Sequence, residues 1–179
     1  MSKPKVLLAL ATALTLAATS VGVDVADARP RPRKGRKFVA NKTFGLGLMI
    51  GAPTAISGKW FYGSSTAIDF GVGVFRRWRD RDGLALHVDH LWHPVSLAGN
   101  PTFELPLYIG IGGRLIDFDG GGGDALGVRV PVGIAFDFNN VPLDVFVELA
   151  LVVDTFVDYA GDDDFDGDLN FALGARYWF

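Results

Sequence analysis

The chain has 179 residues, enough for one domain, with a formal net charge of −3 and no cysteine. Apolar residues make up 49% of it and the mean hydropathy is +0.27, which is high for a soluble protein without a long apolar helix beyond its N-terminal region. The lack of cysteine excludes disulfide bonds and a lipid-modified cysteine. Stability therefore has to come from noncovalent packing.

The N-terminal region has the pattern of a secretory signal peptide. Lys3 and Lys5 precede an apolar run over 6–23, and Ala26-Asp27-Ala28 has the small-x-small pattern that signal peptidase cleaves. We therefore predict export and removal of residues 1–28. An uncleaved membrane anchor is the alternative, because the apolar run is near the lower length limit for a spanning helix.

A basic segment follows this region. Residues 29–37 read RPRPRKGRK, with six positive charges and no acidic residue, and without them the net charge of the remainder falls from −3 to −9. We predict that 29–42 is a disordered leader, since it has too few apolar residues to pack. Such a segment can touch anionic lipid headgroups or other polyanions without specificity, and nothing in it predicts a specific nucleic-acid site.

From residue 43 onwards the chain divides into short alternating runs separated by Gly, Pro, Asn and Asp, a pattern typical of antiparallel all-β proteins. There are eight such runs, and closed bacterial barrels have an even number of strands. We predict a closed up-and-down transmembrane β-barrel over 43–179. The predicted strands are 43–51, 54–62, 66–75, 84–92, 102–116, 125–138, 142–154 and 168–179.

The two faces of each run differ in a way that orients the barrel. Over 126–138, Leu, Val, Ile and Phe alternate with a row of Gly, Pro and Ala that carries Arg129 and Asp137. A water-facing row is normally crowded with long or branched polar side chains, whereas small residues suit a narrow lumen. The aliphatic rows are therefore predicted to face lipid. The alternative is a soluble lipocalin-like barrel binding an apolar ligand, which requires Arg129, Glu148 and Arg176 outside.

The inward row collects charges of both signs, which predicts internal ion pairs that fill the bore. A charge on the lipid face at the membrane midplane would instead cost about 2–4 kcal/mol. A charged, water-filled channel is the alternative for the same residues. The predicted network is Lys59, Asp69, His87, Asp89, Glu104, Arg114, Arg129, Glu148 and Arg176, with Asp137 and Asp144 near one end.

The connections and the aromatic residues fit this arrangement. Short turns at 63–65 and 139–142 are predicted to be periplasmic, although 93–101 is long for such a turn. External loops are predicted at 52–53, 76–83, 117–124 and 155–167. Prolines 106 and 131 each predict a bulge or a local break, because proline removes a ladder donor. An interfacial aromatic belt is predicted from Trp60, Tyr62, Trp78, Trp92, Tyr159 and Trp178.

The last strand, 168–179, has one wholly apolar face and ends on Tyr177 and Phe179. It resembles the C-terminal strand that the barrel assembly machinery recognises in bacterial outer-membrane proteins. The resemblance implies that these two aromatic residues are the assembly signal.

Several motifs along the chain together resemble an uncharacterised family of small bacterial outer-membrane β-barrels. They are GAPT at 51–54, SGKWF at 57–61, AIDFGVG at 67–73, HVDHLWH at 87–93, LPLY at 105–108 and LGVRVPVG at 126–133. The resemblance implies a signal peptide and an outer-membrane barrel, and no catalytic or binding residue.

A histidine-rich stretch is one candidate for chemistry. His87 and Asp89 share a strand face that His90 does not, so these three do not easily converge on one metal unless His93 folds back from the turn. A membrane-embedded hydrolase using His87 is an alternative function. We predict lumen hydrogen bonding for His87 and interfacial positions for His90 and His93.

An acidic stretch is the other candidate. Residues 162–168 contain the D-x-D-x-D-G opening of a calcium loop, with Asp162, Asp164 and Asp166 as weak candidate ligands. The twelfth position is Leu173 instead of glutamate, so a solvated acidic loop is favoured. Four arginines in the 76–81 region are placed to pair with this loop or with lipopolysaccharide phosphates: Arg76, Arg77, Arg79 and Arg81. No cofactor motif is present, and the sequence thus predicts a non-enzymatic outer-membrane barrel with loops for surface interaction or envelope structure.

Overall fold

The computed structural model describes residues 35–77, 81–118, 124–157 and 164–179. They form one closed antiparallel barrel in which each strand pairs with the next and β8 pairs with β1. The strands are β1 (Phe44–Gly51), β2 (Thr54–Phe61), β3 (Thr66–Arg77), β4 (Arg81–Gly99), β5 (Phe103–Phe118), β6 (Asp124–Phe138), β7 (Leu143–Val157) and β8 (Asp164–Trp178). The predicted fold class, an eight-stranded up-and-down barrel, is confirmed.

The predicted signal peptide, 1–28, lies outside the described residues, so its cleavage stays a prediction. No helix within the described ranges is long and apolar enough to cross a membrane.

The alternation of burial along the strands shows which row faces the lumen. In β6 every second side chain is buried, from Ala125 to Asp137, while Leu126, Val128 and Val132 are exposed on the outer surface. Such alternation arises because successive side chains of a strand point to opposite faces. Buried charges on the inward rows include Arg129, Glu148 and Arg176. The lipocalin-like alternative, which needs these three residues outside, is therefore wrong.

Several strands are longer than predicted, mainly at the end that carries the predicted external loops. β4 runs on through His93 and Pro94 to Gly99, so the turn to β5 is only 100–102 and the long periplasmic turn predicted there does not exist. The other loops are also shorter, because hairpin pairing extends into residues whose charge and glycine content favour a loop. Strands therefore extend into the regions predicted as loops at 76–83, 117–124 and 155–167; residues 78–80, 119–123 and 158–163, between these strands, lie outside the described residues.

The two prolines behave differently. Pro106 pairs with Ser96, and the β4–β5 ladder shifts its register on both sides of this pair, between Trp92 and Val95 and between Ser96 and Gly99. The irregularity predicted at Pro106 is therefore present, although the extra residues belong to β4. The β6–β7 ladder passes Pro131 with constant register, but the β5–β6 ladder is interrupted between the pairs Ile109–Val132 and Gly112–Arg129, so the local break predicted at Pro131 is present.

The first hairpin is much shorter than the rest of the wall. β1 and β2 have 8 residues each, whereas β6, β7 and β8 have 15 each. Gly51 pairs with Ala172, but β8 begins at Asp164, 8 residues earlier (172 − 164 = 8), or about 26 Å along the strand. On the other side Thr54 pairs with Val74 and β3 continues to Arg77. We call the gap above this hairpin the notch.

Residues 35–43 pack across the opposite mouth of the barrel. The Phe38 ring is buried against Phe61 and His93, with ring centroids 5.8 and 5.3 Å away. The Ser96 amide donates to the Arg36 carbonyl at 2.8 Å. The prediction of disorder is therefore wrong for residues 35–42, because one aromatic side chain suffices to seat this segment in the mouth; residues 29–34 lie outside the described residues.

Candidate functional site: the packed lumen

Arg129 on β6 is the centre of the lumen network. Its Nε donates to Asp89 Oδ2 of β4 at 2.8 Å, and its Nη2 donates to Glu148 Oε1 of β7. The Tyr108 hydroxyl of β5 donates to the other Glu148 oxygen at 3.0 Å. Each of these side chains is at most 5% exposed. The network thus links four consecutive strands from inside with charge-assisted hydrogen bonds, the strong kind in a low-dielectric interior.

Arg176 on β8 forms a second set with β3, on the far side of the first hairpin, and with the adjacent strand β7. Its Nη1 donates to Asp69 Oδ2 of β3, and its Nε lies 3.7 Å from Asp144 Oδ1 of β7. Its guanidinium carbon lies 3.9 Å from the centre of the Phe146 ring. His87 Nε2 lies 3.9 Å from the other Asp69 oxygen. The Arg176–Asp69 ion pair reaches across β1 and β2 and connects β8 with β3 inside the barrel.

Arg114 and Asp154 form a third pair, between β5 and β7. Arg114 Nε donates to Asp154 Oδ1 at 2.9 Å, and Nη2 donates to Oδ2, which is the two-pronged geometry that favours arginine over lysine. Alternation along β7 places Asp154 on the inward face, but no local pattern singles it out as a member of the network. The two residues lie on strands separated by β6, and both lie opposite Gly127, which has no side chain to keep them apart.

Lys59 and His93 lie near the mouth that residues 35–43 cover. Lys59 Nζ is 3.3 Å from His93 Nε2 and 4.3 Å from the centre of the Tyr108 ring. His93 is buried, so its predicted interfacial position is wrong; the continuation of β4 through residue 93 turns this ring inward. Lys42 closes the same end by donating to Asp137 Oδ1 and to the Phe138 carbonyl, the latter at 2.8 Å.

Small inward residues make room for these large ones. A Cβ added to Gly112 would lie 2.1 Å from Asp89 Oδ1, and one added to Gly133 would lie 2.3 Å from the Tyr108 hydroxyl. Likewise a Cβ on Gly127 would lie 2.1 Å from Asp154 Oδ1. The glycine content of the inward rows therefore has a packing reason: these glycines face long polar side chains from neighbouring strands.

The lumen as a whole is filled rather than open. Its charged side chains, its rings and its apolar clusters around Phe75, Leu91 and Phe146 are almost completely shielded from solvent. Eight strands enclose little more than side-chain volume. A continuous water-filled path would need a bore free of such groups, so the geometry favours a plugged barrel over the charged channel.

The geometry of the described residues does not support a hydrolase site or a metal site at the histidines. His87 is buried, and no described serine, threonine or other nucleophile hydrogen-bonds to it. Within the described ranges, no group of three or more His, Cys, Asp or Glu side chains is arranged to hold a metal ion. His90 lies on the outer surface, with its ring 4.2 Å from the Trp92 ring and its Nε2 in contact with the Tyr62 hydroxyl.

Several predicted site residues lie away from the network. Glu104 is half-buried at the end of β5 opposite Asp137, and it forms no ion pair with any residue of the described part of the chain. Of the calcium candidates, Asp164 and Asp166 belong to β8 rather than to a loop, and Asp162 lies outside the described residues.

The outer surface carries aromatic residues at the end with the short turns. Neighbouring rings there lie 5.1 Å (Tyr177–Phe179) to 6.3 Å (Phe44–Phe179) apart. Trp178, predicted for this belt, instead points inward and stacks on Phe61 at 5.6 Å; Trp78 and Tyr159 lie outside the described residues. The outward-facing residues of this belt are Phe44, Trp60, Tyr62, Trp92, Tyr177 and Phe179.

Comparison with known proteins gives one structural likeness. The chain is similar to the crystal structure of the N-terminal β-barrel domain of Pseudomonas aeruginosa OprF, with a TM-score of 0.47, 14% identity, and coverage of 82% of this chain and 100% of that one. No family model matches the chain, and no curated protein matches it. The family resemblance indicated by the sequence motifs therefore stays a prediction.

Proposed function

We propose that this chain is a small, non-enzymatic outer-membrane β-barrel whose lumen is plugged by its own side chains. The observation that carries the proposal is the outer surface. Aliphatic side chains such as Leu48, Ile50, Leu84 and Val128 are 57–66% exposed around a closed barrel whose interior contains buried ion pairs. Soluble monomers rarely expose an apolar patch beyond a few hundred Å², whereas a lipid-facing barrel surface must be apolar.

Differences between the two ends of the barrel support a particular orientation across the membrane. The aromatic belt and the short turns share one end with both described chain ends, as expected for the periplasmic side. The exposed Tyr177 and Phe179 then serve as the signal for the barrel assembly machinery. The partners in this proposal are outer-membrane lipid and lipopolysaccharide, with the external loops predicted from the sequence serving an external ligand or envelope structure.

An electrophoretic experiment tests the proposal. The full-length chain is expressed with its N-terminal region in a Gram-negative host, the membranes are separated, and the detergent extract is run with and without boiling. We expect the protein in the outer-membrane fraction, lacking residues 1–28, with a mobility that changes on boiling because the folded barrel resists the detergent. Recovery from the periplasm without detergent would contradict the proposal.

A further inference from the structure

The notch leaves part of β8 without a neighbouring strand on one side. β1 pairs with β8 from Trp178 back to Ala172, and the Ala52 amide donates to the Phe171 carbonyl at 3.0 Å. Beyond that point, from Asn170 back to Gly167, β8 pairs only with β7 among the described residues. Within the described part of the chain, the wall of the barrel therefore contains an unpaired strand edge at this place.

The direction of the backbone groups shows what this edge offers. The Phe171 carbonyl bonds towards the first hairpin, and the Phe179 amide donates to the Phe44 carbonyl of β1 at 2.9 Å. Since alternate residues of a strand bond to opposite neighbours, odd-numbered residues of β8 face β1 or the notch. The amide and carbonyl groups of Gly167 and Leu169 therefore point into the notch.

A side chain substitutes for the missing strand at one of these groups. The Leu169 amide donates to Oδ1 of the adjacent Asp168 at 2.9 Å. Local side-chain bonds of this kind compete with ladder hydrogen bonds, and here the ladder offers no partner among the described strands. A strand added at this edge would accept from the Leu169 amide and would release the Asp168 carboxylate.

We propose that the notch binds an extended strand of another protein, which pairs with β8 at Gly167 and Leu169 and places a basic side chain beside Asp168. A polypeptide fits because the edge needs backbone donors and acceptors, which the acyl chain of a lipid lacks. Opposite charges on facing residues of neighbouring strands stabilise such pairing. This surface goes beyond the proposed membrane location and does not depend on it.

The side chains around the edge specify the pattern of that strand. Asp168 and Asn170 are on the inward row of β8, and both amide atoms of the buried Asn170 side chain lack a hydrogen-bond partner among the described residues. Leu169 and Phe171 are exposed on the outward row. The partner strand is therefore expected to alternate basic or polar residues on its inward row with apolar residues on its outward row.

Peptide binding tests the proposal. The refolded full chain in detergent micelles is titrated with a fluorescent peptide of alternating lysine and valine, and with the same peptide N-methylated at alternate amides. We expect the unmethylated peptide to bind about tenfold or more tightly, because methylation removes the donors to the Gly167 and Leu169 carbonyls. Equal binding of the two peptides, or binding of neither, would overturn the proposal.

A pair of variants locates the binding on β8. Leu169→Pro removes the amide that points into the notch and leaves the donors to β7 in place, whereas Leu169→Ala keeps that amide. We expect about fivefold weaker binding for the first, which loses one hydrogen bond, and little change for the second, with folding checked by the mobility shift on boiling. If Leu169→Pro fails to fold, the proposal is tested by comparing the binding of the methylated and unmethylated peptides to the unaltered chain.

Amide hydrogen exchange gives an independent measurement. Without peptide, the Gly167 and Leu169 amides should exchange faster than those of Asp168 and Asn170, which face β7, and peptide should slow only the first pair. Equal protection of all four amides before peptide is added would mean that the edge is already covered, and would overturn the proposal.

Discussion

At the scale of single residues, the lumen is defined by buried charges that have partners. Arg129 is 1% exposed and lies between Asp89 and Glu148, with Tyr108 completing the hydrogen bonds of the glutamate. Removing charges from water is costly, and the cost is offset only where geometry and hydrogen bonds are good. The network therefore affects stability most when one member is removed, because its partner is then left as an unpaired buried charge.

Arg129→Ala leaves two buried carboxylates without their cation. We expect it to lower the free energy of unfolding by about 3–5 kcal/mol, measured by urea titration in micelles. Adding Asp89→Asn and Glu148→Gln to the same chain should recover part of the loss. The control is Lys37→Ala at an exposed position; a loss for Arg129→Ala no larger than that of the control would contradict the account.

Gly112 and Gly113 offer a matched test of the packing argument. A Cβ on Gly112 would meet Asp89 Oδ1 at 2.1 Å and the Val88 carbonyl at 2.2 Å, whereas one on Gly113 would have its nearest contact at 3.6 Å. Gly112→Ala should therefore destabilise the barrel by about 1–3 kcal/mol, and Gly113→Ala should not. Equal urea midpoints for the two variants would contradict the packing argument, because the lumen would then accommodate the added methyl group at Gly112.

The inward-facing residues could be predicted from the sequence better than their partners could. Alternation alone identifies the inward row, and Arg114, Arg129 and Arg176 are all on it. The partner of Arg114 is Asp154, two strands away. This pairing depends on the register of β6 with each of its neighbours, which places both residues opposite Gly127, and the alternation within one strand contains no information about that register.

At the scale of elements, the segment before β1 acts as part of the fold. Phe38 is 2% exposed and contacts the rings of Phe61 and His93, so the end of the basic segment is tied to the barrel mouth where the sequence predicted disorder. Local composition predicts disorder in a segment dominated by charged residues. It does not reveal that one aromatic residue packs against partners that are distant in sequence.

Phe38→Ala tests whether this segment contributes to stability. We expect a loss of about 3–5 kcal/mol if the ring is as buried as observed, read from urea unfolding in micelles. Val39→Ala is the matched control, because the neighbouring side chain is 52% exposed. Equal stability of the two variants would mean that the segment does not pack in the mouth.

Strand ends are the least predictable elements. The predicted bounds of β1 and β2 are correct to within one residue, because Gly51 and the Ala52-Pro53 turn punctuate them clearly. β4 is predicted to end at residue 92, although it continues to Gly99, since His93 and Pro94 favour a turn locally. Pairing with β5, which absorbs the proline through shifts in register, decides where the strand ends.

At the scale of the whole molecule, the account depends on what surrounds the outer aliphatic rows. Polar groups fill the inside, apolar residues cover the outside, and an aromatic belt marks one end. This arrangement is the reverse of a soluble barrel, where the apolar rows pack against each other.

Spin labelling along β7 tests that claim most directly. The chain contains no cysteine, so single cysteine variants at Val147, Leu149 and Leu151 each carry one label in a chain reconstituted into lipid vesicles. We predict that all three labels are relaxed by oxygen, which concentrates in hydrocarbon, and are shielded from a water-soluble nickel chelate. Strong relaxation by the chelate at these positions would contradict the lipid-facing orientation.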